Sequence, residues 1–213
     1  MTRTVLLTGF GAFDGQALNA SWLGVRRAAE IWDGPDVLAT AQLPVSFSEV
    51  GPALERAVAE HRPDVIVCAG LAEGRSRIGV ERAALNVLDA RIPDASGWAP
   101  VDEPVVAGGP MAYLSRLPIK ACVAALDAHD IPAEVSNTAG TYVCNAVFYR
   151  LLHALRHDAV VRGGFVHVPQ AVETARSAVP TLPLETIAAG LVIIARTSLA
   201  VREDLRVTGG AVH

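Results

Sequence analysis

Short runs that are apolar at nearly every position alternate along the chain with longer segments whose apolar residues recur every three or four positions. The runs "TVLLTGF" (4–10), "DVLATAQL" (36–43), "DVIVCAG" (64–70), "AEVSNT" (133–138) and "GGFVHV" (163–168) predict strands. Several lack polar alternation, the signature of strands buried on both faces of a mostly parallel sheet. Helical spacing predicts helices over 19–32, 47–61, 117–129, 144–157 and 183–202, with Gly51 and Pro52 interrupting the second. The alternation implies an α/β protein, a three-layer α/β/α sandwich around a mostly parallel twisted sheet. Residues 75–110 break the rhythm. Rich in Pro, Gly and Asp, they predict strands plus an extended excursion. With no internal repeat, linker or low-complexity segment, the reading is a single domain over 1–213.

Composition narrows the function classes. The chain has 213 residues, 51% hydrophobic and 19% charged, with net charge −4, and is long enough for a full core. No run of Lys or Arg stands out, so neither a nucleic acid nor a membrane is expected as partner. The N-terminal apolar stretch is too short for a signal peptide. The run "IAAGLVIIARTSLAV" (187–201) is broken by Arg196 and too short to span a bilayer, so it reads as a buried helix. Cys68, Cys122 and Cys144 form an odd set without metal-ligand spacing. Reduced thiols, a cytoplasmic setting, and no metal or cofactor follow as expectations.

Candidate chemistry centres on "SNTAGTYVCNAVFYRLL" (136–152), where a polar loop runs into Cys144 at the first turn of a helix. Unpaired N–H groups and the positive end of the helix dipole favour thiolate there, predicting a pKa below the usual ~8.5. Cys144 also opens an apolar stripe with Val147, Phe148, Leu151, Leu152 and Leu155, so a core role is the competing reading. Cys68 and Cys122 lie inside apolar elements and read as small core residues. A nucleophilic cysteine needs a histidine, itself oriented by a third group. His61, His129 and His157 fall at helix ends, His153 on an exposed helix face and His213 at the terminus. His167, in "GGFVHVPQ", ends a strand before a Pro turn. That is the carboxyl edge where α/β sites collect, and where Cys144 is also expected. For the orienter, Glu81, Asp89, Asp94, Asp102 and Glu103 all remain open on these grounds.

Seven segments together resemble the type I pyroglutamyl (pyrrolidone-carboxyl) peptidases. They are "LLTGFGAFDGQALNASW" (6–22), "ERAALNVLDARIPD" (81–94), "PVDEPV" (100–105), "LPIKACVAAL" (117–126), "SNTAGTYVCNAVFYRLLHAL" (136–155), "GFVHVP" (164–169) and "LPLETI" (182–187). The resemblance implies a thiol peptidase acting on peptides with N-terminal pyroglutamate, cofactor-free and homo-oligomeric as a dimer or tetramer. It assigns Cys144 as nucleophile, His167 as base and Glu81 as the acidic member. Arg91 falls on the oxyanion side with the Cys144 backbone. Phe10, Phe13, Asn19, Leu71, Ile92, Tyr142 and Val143 fall in the substrate pocket. Leu71, Glu73 and Ala12 depart from the family pattern. The alternative is a catalytically impaired member acting as a binding protein. A dinucleotide-binding reading of "LLTGFGAFDG" fails because Asp14 stands where G-x-G-x-x-G needs its last glycine.

Overall fold

The computed structural model describes residues 2–175 and 178–210. In chain order the elements are β1 (Thr4–Phe10), α1 (Ala20–Ile31), β2 (Val37–Leu43), α2 (Val50–His61), β3 (Val65–Leu71) and β4 (Ile78–Leu85). Then come β5 (Ala112–Leu114), α3 (Ile119–Asp127), β6 (Ala133–Thr138), α4 (Val143–Ala154), β7 (Arg162–Val168), β8 (Gln170–Ala171), β9 (Thr181–Leu182) and α5 (Leu184–Ala200). The predicted strands and helices are present with ends shifted by up to three residues. The largest helix-start shift is at α2, which begins at Val50 rather than at 47. Gly51 and Pro52 therefore sit in its first turn, where the N–H that proline lacks would have no helical partner anyway.

A seven-stranded sheet forms the middle layer. Strands β2, β1, β3 and β7 run parallel in that order. β4 then pairs antiparallel with β7, and carries β6 parallel and β5 antiparallel to itself. Side chains alternate between two cores, as a strand's period of two requires. Val5, Leu7, Val65, Val67, Val166 and Val168 face α1, α3 and α5. Leu6, Ile66, Cys68 and Phe165 face α2 and α4. Every one of these is fully buried, which is why the strand runs read as continuously apolar. No helix among the described residues is long and apolar enough to cross a membrane.

The 75–110 region resolves into β4 and a long connection. β4 escapes a hydrophobicity reading because "IGVERAAL" carries Glu81 and Arg82 in mid-strand. Beyond Leu85 the connection is held by a lone bridge between Leu88 and Glu103 and by the Asn86 side chain. That amide donates to the Val106 and Gly109 carbonyls and accepts from the Val106 N–H. At α3 the chain offers Pro118 as cap, which has no side-chain acceptor. The Asp204 carboxylate arrives from beyond α5 and accepts the Lys120 and Ala121 N–H groups instead.

Candidate active site

His167 lies at the end of β7, directly opposite Gly79 of β4. Two residues along β4, Glu81 points to the same face and reaches diagonally to the ring: its Oε1 is 2.7 Å from His167 Nδ1. Both groups are withdrawn from water, Glu81 completely and His167 at 5% exposure. The same Oε1 also accepts from Arg75 Nη1 at 3.0 Å, while Oε2 is buried without a hydrogen-bond partner among the described residues. Gly79 makes this possible, since a Cβ there would stand 2.6 Å from Arg75 Nη1.

Cys144 arrives by a route the carboxyl-edge rule does not describe. The strand before it, β6, runs parallel to β4 and so opposite to β7. Cys144 nevertheless comes near His167, because α4 starts over the end of β3. A Cβ on Gly70 would lie 2.7 Å from Cys144 Sγ and 2.7 Å from the Phe165 ring. Gly70 is the β-register partner of His167, which puts the sulfur over the position next to the imidazole. Asn145 fixes the start of α4. Its amide donates to the Leu85 and Val87 carbonyls at 2.9 Å and accepts from the Leu85 N–H. Tyr142 occupies the cap position of this helix without a side-chain capping bond, leaving first-turn N–H groups to the site.

The expected low thiol pKa is overturned. Burial, foremost, and then the neighbouring Glu81 charge push the Cys144 thiol up to about 12. Arg75 and the residue's own backbone N–H act in the opposite sense and do not outweigh them. Cys144 is half-buried, not sealed, and the packing around its sulfur together with the Glu81 charge outweighs the helix end. Cys68 and Cys122 are buried core thiols, each pushed up to about 12 by desolvation.

Cys144 opens on a cleft of ≈ 310 Å³. Phe10, Phe13, Asn19, Leu71, Arg91, Ile92, Tyr142 and Val143 line it, so the residues matched to a pocket on sequence converge in one place. Asn19 caps α1 through its Oδ1, which accepts from Ser21 N–H and Oγ. Ser21 Oγ in turn accepts the Phe10 N–H, anchoring that wall. The Tyr142 ring packs edge-on against Phe47 at 5.1 Å and its hydroxyl donates to the Pro93 carbonyl. Asp14, Gln16, Val45 and Glu73 also line the cleft and were not assigned to it on sequence. Arg75 and Asn145 were missed as well. Asn145 had a signal, a polar residue on the buried face of α4, whereas Arg75 had none.

The other candidates have other duties. Among the five open carboxylates, Glu81 is hydrogen-bonded to an imidazole. Asp94 is buried away from the imidazole's carboxylate and accepts from Phe47 N–H, Ser96 N–H and Oγ, and Trp98 N–H. Desolvation pulls its carboxyl upward, but those hydrogen bonds together hold it below the ordinary value. His153 is half-buried rather than exposed, stacked on Tyr149 with Nδ1 2.8 Å from the Tyr113 hydroxyl. His129 closes onto the Ala125 carbonyl at its helix end. His213 lies outside the described residues.

A family model described as pyroglutamyl peptidase matches residues 3–201. The chain is 50% identical over 209 residues to a pyrrolidone-carboxylate peptidase of Clavibacter michiganensis, covering 98% of both chains. It is 47% identical to one of Bacillus licheniformis, covering 100% of each. Among solved structures, Bacillus amyloliquefaciens pyroglutamyl peptidase I superposes with TM-score 0.91 at 43% identity, covering 95% of this chain and 100% of that one. The pyrrolidone carboxyl peptidase of Thermococcus litoralis superposes with TM-score 0.89 at 32% identity, covering 97% and 100%. A buried acid–imidazole pair beside a cysteine at an aromatic cleft, in a chain related over its full length to these proteins, places the chain in the pyroglutamyl peptidase family.

Proposed function

We propose that the protein removes N-terminal pyroglutamate (5-oxoproline) from peptides, through a Cys144–His167–Glu81 triad and a thioester acyl-enzyme. The observation that carries this is the 2.7 Å contact from Glu81 to His167 Nδ1, with Cys144 Sγ seated over Gly70 in the adjacent register position. Glu81 holds the tautomer in which Nδ1–H donates to it, so Nε2 keeps its lone pair for the thiol. Because burial keeps the thiol protonated, His167 removes that proton as sulfur attacks, in preference to a preformed ion pair. The S–C bond forms at the pyroglutamyl carbonyl. The developing oxyanion is met by the Cys144 N–H of the uncapped helix start, with Arg91 on the same cleft. The imidazolium returns its proton to the leaving amine as the C–N bond breaks. Water, deprotonated by His167, then splits the thioester.

The cleft suits an uncharged lactam. Its buried lining, Phe10, Val45 and Val143, is apolar, and its carboxylates Asp14 and Glu73 stand in solvent. A free α-ammonium would be buried there without a partner. An N-terminal proline would leave the groups meant for the ring carbonyl unpaired, a loss of about 10⁴-fold. The proposed setting is the cytoplasm, and the proposed assembly a homodimer or homotetramer.

The test is turnover of a pyroglutamyl aminocoumarin. Wild type is expected to hydrolyse it, and Cys144→Ala to lower kcat/KM by about 10⁴-fold or more. Activity persisting in that variant rejects the nucleophile. A wild type that binds a pyroglutamyl peptide without cleaving it is instead a binding protein.

A further inference from the structure

We propose that Arg75 is a positioning residue for this reaction: it fixes the Glu81 carboxylate on the imidazole and balances its charge beside the nucleophile. The inference rests on the triad reading above.

Two donors share one oxygen. His167 Nδ1 and Arg75 Nη1 approach Glu81 Oε1 at 2.7 and 3.0 Å. The other oxygen, Oε2, is buried and makes no hydrogen bond among the described residues. The rotation of the carboxylate is therefore set by its Oε1 contacts. Removing Arg75 leaves a fully buried anion held by the imidazole alone, an arrangement that is strongly unfavourable when a charge loses its partner. The fold also keeps a path open for the guanidinium. Arg75 is part-exposed on the turn after β3, where its N–H donates to the Ala72 carbonyl. Its head passes through the space a side chain at Gly79 would fill.

The charge acts on the sulfur as well. Glu81 and Cys68 push the Cys144 thiol up, and Arg75 draws it down. His167 stands at the neighbouring register position, and Arg91, Tyr142, Asp14 and Glu73 face the same cleft. Among the described residues none of the groups lining the cleft hydrogen-bonds Glu81, so Arg75 and His167 divide that duty between them. A guanidinium that only glued β4 to its preceding turn would affect folding without changing when the thiol ionises.

The experiment follows iodoacetamide alkylation of Cys144 and pyroglutamyl aminocoumarin hydrolysis against pH, in wild type, Arg75→Gln, Arg75→Lys and both substitutions on a Glu81→Gln background. In Arg75→Gln the alkylation profile is expected to move to higher pH and kcat/KM to fall about 10–100-fold, the range typical of groups that orient a reactive ligand from outside. Arg75→Lys is expected to restore most of the profile, and the Arg75→Gln effect to vanish when Glu81 is already Gln. An Arg75→Gln profile that superimposes on wild type overturns the proposal, as does a loss of equal size in the Glu81→Gln background. If Arg75→Gln folds poorly, the Glu81→Gln pair, which buries no charge, and Arg75→Lys still decide it. Alkylation needs no substrate, so a wild type that fails to cleave the aminocoumarin counts against the function and leaves the Arg75 test standing.

Discussion

Gly70 shows how one absent side chain can place a reactive atom. The sulfur of Cys144 and the edge of Phe165 occupy the volume that any Cβ would take. Gly70→Ala is expected to cost about 1–3 kcal/mol through overpacking and to lower kcat by about 10²-fold, because sulfur displaced by roughly an ångström loses its line to the imidazole. Thermal melting and steady-state kinetics read the two effects separately. At this scale the sequence was informative for residues in contiguous motifs, such as Cys144 in "TYVCN" and His167 in "VHVPQ". It was silent about Arg75 and Gly79, whose roles come from proximity across strands. It misled on the thiol, because helix position is visible in sequence, whereas the packing around the sulfur and the nearby Glu81 charge are not.

At the scale of elements, the cleft wall depends on a loop in the Pro-, Gly- and Asp-rich excursion after β4. Asp94 gathers N–H groups from Phe47, Ser96 and Trp98, and so holds the segment that carries Arg91, Ile92 and the Pro93 carbonyl bonded to Tyr142. Asp94→Asn is expected to raise KM more than it lowers kcat. Its effect on stability is pH-dependent with a definite sign. The folded carboxyl titrates below the 3.8 of the free group, so its stabilisation is complete above about pH 3.8 and disappears as pH falls through the depressed value. Wild type and variant should therefore converge in acid unfolding experiments and differ most near neutrality. Asp204 offers a contrast. It caps α3 far from the cleft, and Asp204→Ala is expected to cost about 1 kcal/mol in urea unfolding while leaving kcat/KM unchanged. Strands with continuous apolar runs were legible as elements, but β4 was not. It is the strand that reverses direction and delivers the acid, and its mid-strand Glu81 and Arg82 hide it from a hydrophobicity reading.

For the molecule as a whole, the sheet separates two cores, and the one beneath α2 and α4 supplies most of the cleft's apolar wall. The α2–α4 side holds Phe10, Val45 and Val143 against the cleft, while the α1–α3–α5 side holds residues such as Leu191 that do not line it. Leu191→Ala is expected to destabilise by about 2–5 kcal/mol and to leave KM unchanged well below the unfolding transition. Unfolding midpoints and kinetics on the same preparations check this. The layered architecture was readable because βα alternation allows few solutions; the reversed pair β4–β6 was not, since strand direction leaves no mark in composition. The protonated state of Cys144 has a consequence at this scale. Peroxides and disulfides react with thiolates, so under the proposed mechanism a sulfur that gives up its proton to His167 only during attack is spared between turnovers. The protein surrenders some idle nucleophilicity and gains chemical durability, with the surrounding fold serving as the shelter.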